Sequence, residues 1–148
     1  SSLHPKPTLD PINGSGLLLN FLVFIKSPGL MRTPPNLAFR TATLNVRGIN
    51  SDKLDLIAES FSRERLDFIC IQETMVSDEA SLTNLARKWN GPSYWSPAIG
   101  RRGGVAILAR LGNEKIYWFG RKMRGGRLVS LLLKYDNCKI NLVNVYAP

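Results

Sequence analysis

Histidine is almost absent: the 148 residues contain one, His4, close to the start of the chain. A Ser-His-Asp triad or a histidine-rich zinc site therefore has nothing to draw on in the body of the chain. Cysteine is nearly as scarce. The two cysteines, Cys70 in "DFICIQ" and Cys138 in "DNCKINL", match no metal spacing and no disulfide framework. Both sit in apolar, strand-like runs, where an unpaired cysteine behaves as a small buried hydrophobe. The expectation is two reduced core cysteines, no disulfide partner and an intracellular protein. Long apolar runs are also missing. The longest, "GLLLNFLVFI" at residues 16–25, has ten residues and is too short to span a bilayer. The segment before it contains prolines and lacks a strongly basic start, which argues against a signal peptide and gives no membrane partner. No P-loop or GxGxxG occurs, and "RRGG" and "RGGR" read as hairpin turns. No repeat period or low-complexity segment is evident.

Acidic residues are few. Eleven Asp and Glu stand against 20 Lys and Arg, a formal net charge of +9 with a sequence pI near 10.0. Such a balance suits a polyanionic partner, nucleic acid or an acidic membrane surface, though many proteins are basic only for solubility. At 44% hydrophobic, the chain is long enough for one domain with a real core, or part of one. Residues 1–39 hold most of the prolines and no charge pattern, and are expected to be a flexible leader outside the fold.

From residue 40 onward the punctuation is regular. "FRTATLNV" predicts a strand over about 40–46, and "LDFICIQ" reads as a short strand buried on both faces. Between them, Ser51 as N-cap and Leu54, Ile57, Ala58 and Phe61 at i, i+3, i+4 and i+7 predict a helix over about 52–64. Ser77 is read as the cap of a second helix, with Asp78 and Glu79 at its positive end and Leu82, Leu85, Ala86 and Trp89 along one face. Five strands follow, "SYWSPA", "GGVAILAR", "KIYWFGR", "GRLVSLLLKY" and "CKINLVNVY". Two helices cover only one face of a sheet. The apolar runs "VAILA" and "LVSLLL" therefore call for a second layer, which this reading finds missing, and the isolated chain is expected to aggregate or stay partly unfolded.

Asn45 lies near the end of the first of these strands and Glu73 just after the second. Ligands gather at the carboxyl ends of strands in open α/β sheets, and a carboxylate there suits a hard cation such as Mg²⁺. By themselves these are weak signals, because a lone glutamate after a strand is more often a solvated loop residue or a helix-capping partner. Between residues 101 and 127 lie eight basic residues against one acid. They are either phosphate contacts along a duplex or a solvated rim that protects edge strands.

"TLNVRGINS", "FICIQET", "GRRGGVAIL" and "INLVNVYAP", in this order, resemble the first half of the exonuclease-endonuclease-phosphatase superfamily. They are most similar to the endonuclease domain of LINE-type (non-LTR) retrotransposons. The resemblance covers about residues 40–148. It implies an α/β fold, the N-terminal half of a four-layer, DNase I-like sandwich in which two sheets pack face to face with helices outside. It also implies Mg²⁺-dependent cleavage of phosphodiester bonds in DNA, with a reverse transcriptase domain on the same full-length chain and a nuclear location. By the same resemblance Asn45 and Glu73 are metal residues, and Tyr146 completes the catalytic set by polarising the scissile phosphate. Arg101, Arg102, Arg121, Lys122 and Arg124 are the nucleic-acid contacts. Arg47 stands where apurinic-repair relatives carry Asp, which favours the retrotransposon branch. The family's later Gly-Asp-Phe-Asn segment, Asp and Ser-Asp-His segment do not occur, so the expectation is a fragment that does not itself cleave DNA. A non-catalytic nucleic-acid-binding remnant and a phosphatase of the same superfamily are the alternatives.

Overall fold

The computed structural model describes residues 3–11, 18–26, 38–110, 116–135 and 138–147, with side chains described over 40–110, 123–134 and 139–147. The strands are β1 (Leu3–Pro11), β2 (Leu18–Lys26), β3 (Ala38–Asn45), β4 (Phe68–Gln72), β5 (Ser93–Ser96), β6 (Val105–Ala109), β7 (Ile116–Arg124), β8 (Leu128–Tyr135) and β9 (Cys138–Val145). Two helices interrupt them, α1 (Ser51–Arg63) between β3 and β4, and α2 (Glu79–Lys88) between β4 and β5. The strands form two sheets, one ordered β1-β2-β3-β4-β6-β5 and one ordered β7-β8-β9.

β3 and β4 are parallel neighbours, with Asn45 opposite Gln72, so α1 is the crossover that parallel pairing demands. Asn50 caps α1 by accepting the Lys53 N–H at 2.8 Å, one residue before the serine the sequence suggested. Asp78, not Ser77, caps α2 by accepting the Ser81 N–H at 2.9 Å. In both places a longer Asx side chain reaches the orphan N–H that a neighbouring serine could equally have taken. Hydrogen bonds from Ser81 hold the Asp78 carboxyl below its ordinary range. The Schellman bonds from Leu66 N to Phe61 O and from Arg65 N to Ser62 O end α1.

Alternation along each strand decides what packs where. Ala42, Leu44, Ile69, Ile71, Ala106 and Leu108 point to the helix side, where Leu54, Ile57, Phe61, Leu85 and Trp89 meet them. Phe61 and Trp89 pack edge to face, their ring centroids 4.9 Å apart. Phe68, Cys70, Val105, Ile107 and Ala109 point the other way, against Val129, Leu131 and Leu133 of β8 and Ile140 and Leu142 of β9.

The second layer that the sequence seemed to lack is therefore supplied by the chain's own β7-β8-β9 meander. Counting helices could not show this, because a list of consecutive strands does not say which of them leave the first sheet. What remains without cover, among the described residues, is the outer face of the meander, where Leu132, Val143 and Val145 are exposed. The order is helices, sheet, sheet, a mixed α/β architecture of three layers.

Within the first 39 residues, the described stretches Leu3–Pro11 and Leu18–Lys26 are strands of the first sheet, and residues 1–2, 12–17 and 27–37 lie outside the described residues. β1 and β2 form an antiparallel hairpin, and β2 pairs with β3 from Asn20 opposite Thr43 to Ile25 opposite Ala38. Pro5, Pro7 and Pro11 share one parity in β1. An edge strand tolerates that pattern, because residues of one parity turn their nitrogens away from the partner strand.

Ile107, fully buried between the sheets, and Val143, 45% exposed on the outer face, test this assignment. Ile107→Ala is expected to lower unfolding stability by about 3 kcal/mol and Val143→Thr to change it by less than about 0.5 kcal/mol in urea titrations. Equal losses would contradict the facing of the two sheets.

Candidate active site

Asn45, Glu73 and Tyr146 come from three separate stretches and line one cleft of about 730 Å³. Its floor is the part of β3 that faces away from the helices, where Thr41, Thr43 and Asn45 alternate with the buried Ala42 and Leu44. One wall is the last residue of β4 and the one after it, Gln72 and Glu73, and the other is the end of β9 and the chain that follows, from Leu142 to Ala147. Because β3 and β4 run parallel, their carboxyl ends lie side by side, which is why Asn45 and Glu73 share a rim.

The loops that carry these residues are held tightly. The Asn45 side-chain oxygen accepts the Arg47 N–H at 3.1 Å, leaving its second lone pair and its amide hydrogens for a ligand. Lys53 donates to the carbonyls of Val46 and Gly48, both at 2.8 Å, and so clamps the same turn from below. Glu73 has a positive φ of 55° and Met75 one of 58°, a left-handed backbone that non-glycine residues adopt only where surrounding bonds hold them. Those bonds are Gly48 N to Glu73 O at 2.7 Å, Thr74 N to Gly104 O at 3.0 Å and Met75 N to Gly103 O at 2.9 Å.

The "RRGG" turn has a packing reason beyond turn formation. A Cβ on Gly104 would overlap Thr74 Oγ1, and one on Gly126 would lie 2.6 Å from the Pro97 carbonyl oxygen. Close approach of the three loops 73–75, 97–104 and 124–127 thus requires bare backbone, and Gly104 N donates to Gly126 O at 2.8 Å across them. Tyr146 joins this hub through its N–H, which donates to Arg127 O at 2.8 Å. Arg101, Arg102, Arg124 and Arg127 are exposed on these same loops. Among the described residues, none of the four forms an ion pair. Arg121 and Lys122 lie on β7 rather than at its tip, and their side chains fall outside the described residues.

Sequence reasoning missed Gln72 and Asn144. Asn144 is 2% exposed, and its amide donates to Ile71 O at 2.9 Å and Ala106 O at 2.8 Å. Its oxygen accepts from Gln72 Nε2 at 2.8 Å, and the same Nε2 donates to Thr43 Oγ1 at 2.9 Å. A signal existed: Ile140, Leu142 and Asn144 share one parity, so a polar residue occupies an inward position of β9.

With this geometry in view, residues 42–138 match the profile of the Endonuclease/Exonuclease/phosphatase family. The chain belongs to that family. The matched segment includes Asn45 and Glu73 and ends before Tyr146. No curated protein matches the chain. Family membership makes it a member of a nuclease and phosphatase superfamily with a partial DNase I-like α/β fold, and the family is generally metal-dependent. The donor set suits that requirement. Among the described residues no group of three His, Cys, Asp or Glu could hold an ion. Mg²⁺ commonly needs only one or two carboxylates, with water and phosphate oxygens completing its shell. The Glu73 carboxylate and the Asn45 amide oxygen are such a partial set.

Cys70 also lines the cleft, and its thiol is buried. Burial pushes its thiol from an ordinary value of 9.0 up to about 12. A thiol whose folded value lies above its unfolded one contributes its full stability below the unfolded value, and that contribution falls as pH rises above about 9. In a Cys138→Ser background, iodoacetamide at pH 8 should label Cys70 only as fast as the protein unfolds. Labelling at the rate of a free thiol would contradict the burial.

Among the described residues, Thr74 Oγ1 is buried without a hydrogen-bond partner. Thr74→Val, which removes that hydroxyl at nearly constant shape, should raise stability by about 1 kcal/mol, whereas Gly104→Ala should lower it by at least about 2 kcal/mol. Urea midpoints read both, and a destabilised Thr74→Val would show that the hydroxyl has a partner.

Proposed function

We propose that the chain grips duplex DNA by its phosphates and holds Mg²⁺ at Asn45 and Glu73. It would be part of a Mg²⁺-dependent endonuclease resembling the LINE retrotransposon nicking enzymes. The observation that carries this is convergence: Asn45, Glu73 and Tyr146 line one cleft, and the loops bearing Arg101, Arg102, Arg124 and Arg127 are bonded to its rim.

A phosphate entering the cleft would meet the Tyr146 phenol, which can donate to a non-bridging oxygen, and the Asn45 amide hydrogens. The four guanidinium groups would hold flanking phosphates, which positions a duplex without reading its sequence. Bound Mg²⁺ would neutralise charge on the phosphate. Glu73, in its strained left-handed conformation, would present its carboxylate at a fixed place, trading backbone energy for position.

Among the described residues, the cleft is lined by one carboxylate and no histidine. General-base help is worth roughly 10²- to 10⁴-fold, so this chain would bind a phosphodiester far better than it would cleave one. A DNA substrate implies a nuclear location, and in a longer polypeptide a reverse transcriptase would extend the nick. Among the described residues, no helix is long and apolar enough to cross a membrane.

Fluorescence anisotropy with a short duplex at several salt concentrations tests the DNA reading. Binding should weaken steeply with salt, and Arg102→Ala and Arg124→Ala should each reduce the log–log slope by about one unit. Salt-independent binding would sink the phosphate-contact reading. In the same samples Mn²⁺, as a probe of the Mg²⁺ site, should bind the wild type and be lost in Glu73→Gln. Phosphate release from a monoester without duplex binding would favour the phosphatase branch instead.

A further inference from the structure

Among the described residues, the two sheets meet mainly through apolar side chains, and within that interface the amides of Gln72 and Asn144 face each other. Asn144 spends both of its amide hydrogens on carbonyls of the opposite sheet, Ile71 O of β4 and Ala106 O of β6, which are cross-strand neighbours. Its oxygen takes the Gln72 Nε2–H at 2.8 Å. Gln72 Nε2 also reaches Thr43 Oγ1 at 2.9 Å and the Cys70 carbonyl at 3.2 Å. Four strands, β3, β4, β6 and β9, are therefore tied together by two side chains.

The position of this tie matters more than its strength. Gln72 precedes Glu73, Thr43 lies two residues before Asn45, and Asn144 lies two residues before Tyr146. Each cleft residue is thus one or two residues from an atom of the same network. Apolar contacts alone would let one sheet slide over the other by fractions of an ångström at little cost, because dispersion is weakly directional. Hydrogen bonds fix distance and angle. A slide of β9 against β4 would separate Tyr146 from Asn45 and Glu73, and the amide pair forbids it.

From this we infer that Gln72 and Asn144 are positioning residues, whose amide pair sets the spacing between the Asn45–Glu73 rim and the Tyr146 rim of the cleft. They act through Glu73 and Tyr146, in the way that outer-shell groups orient metal ligands. The purpose rests on the proposed metal and phosphate reading of the cleft. The geometry does not.

Gln72→Met keeps length and volume and removes the amide, and Gln72 is only partly buried, so the variant should fold. Amide hydrogen exchange is then compared with the wild type and with Ile107→Val, a core change of similar modest cost at a side chain that makes none of the network's hydrogen bonds. The amides to watch are Gly48, bonded to Glu73 O at 2.7 Å, and Tyr146, bonded to Arg127 O at 2.8 Å.

The expected result in Gln72→Met is exchange at least about tenfold faster at Gly48 and Tyr146, with Ile69 and Ile107 within about twofold. Ile107→Val should leave the two cleft amides unchanged. Uniform acceleration at all four amides, as a merely structural role would give, overturns the inference. So does unchanged exchange at Gly48 and Tyr146.

A parallel Mn²⁺ titration separates the two readings. Affinity about tenfold weaker in Gln72→Met extends the positioning to the ion, and equal affinity in both proteins overturns it. A wild type that binds no Mn²⁺ sinks the metal reading of the cleft, and the exchange rates then decide the amide pair by themselves.

Discussion

The central constraint is that β4 and β6 are apolar on both faces. A strand of this kind must be covered twice, and in this chain the covers come from different sources. On one side Leu54, Ile57, Phe61 and Trp89 pack from the helical region, and on the other Val129, Leu131, Leu133, Ile140 and Leu142 pack from a second sheet. Once the second sheet is laid over β4 and β6, its β9 strand must end near the carboxyl ends of β3 and β4. The cleft is a by-product of that covering, because the polar face of β3 is left beside the end of β9.

A dry interface would suffice for stability, yet the interface contains Asn144 at 2% exposure. An amide so placed costs free energy unless each of its hydrogens finds an acceptor. Asn144 meets that condition with two carbonyls of the facing sheet, so the group that would be the most expensive in the core becomes the most directional. The strained backbone at Glu73 and the glycine contacts at Gly104 and Gly126 belong to the same economy of close approach. Each sacrifices some local comfort to bring three loops together around one opening.

Charge follows from the same geometry. A net charge of +9 could have been spread evenly. Instead, four exposed guanidinium groups sit on two turns whose backbones are bonded to each other and to Tyr146. The glycines that let these turns touch are therefore also what brings the charge to the mouth of the cleft.

Much of this was legible in the chain before it was folded. Helical spacing at Leu54, Ile57 and Phe61, the short apolar run before Gln72 and the strand ends bearing Asn45 and Glu73 are local features, written in period and composition. Cap positions were off by one residue because Asn, Ser and Asp all suit that place, and only the reach of the side chain chooses among them. Sheet membership of β7, β8 and β9 was not legible, nor was the pairing of the first strands with β3. Both depend on contacts between residues far apart, which alternation along a strand does not encode. The sequence by itself determined which residues are apolar, where turns fall and which side chains are candidates for chemistry. Only the tertiary structure decided that β9 closes over β4. That contact is non-local and is set by the fit of two apolar faces and one buried amide, and it brings three scattered residues to one cleft.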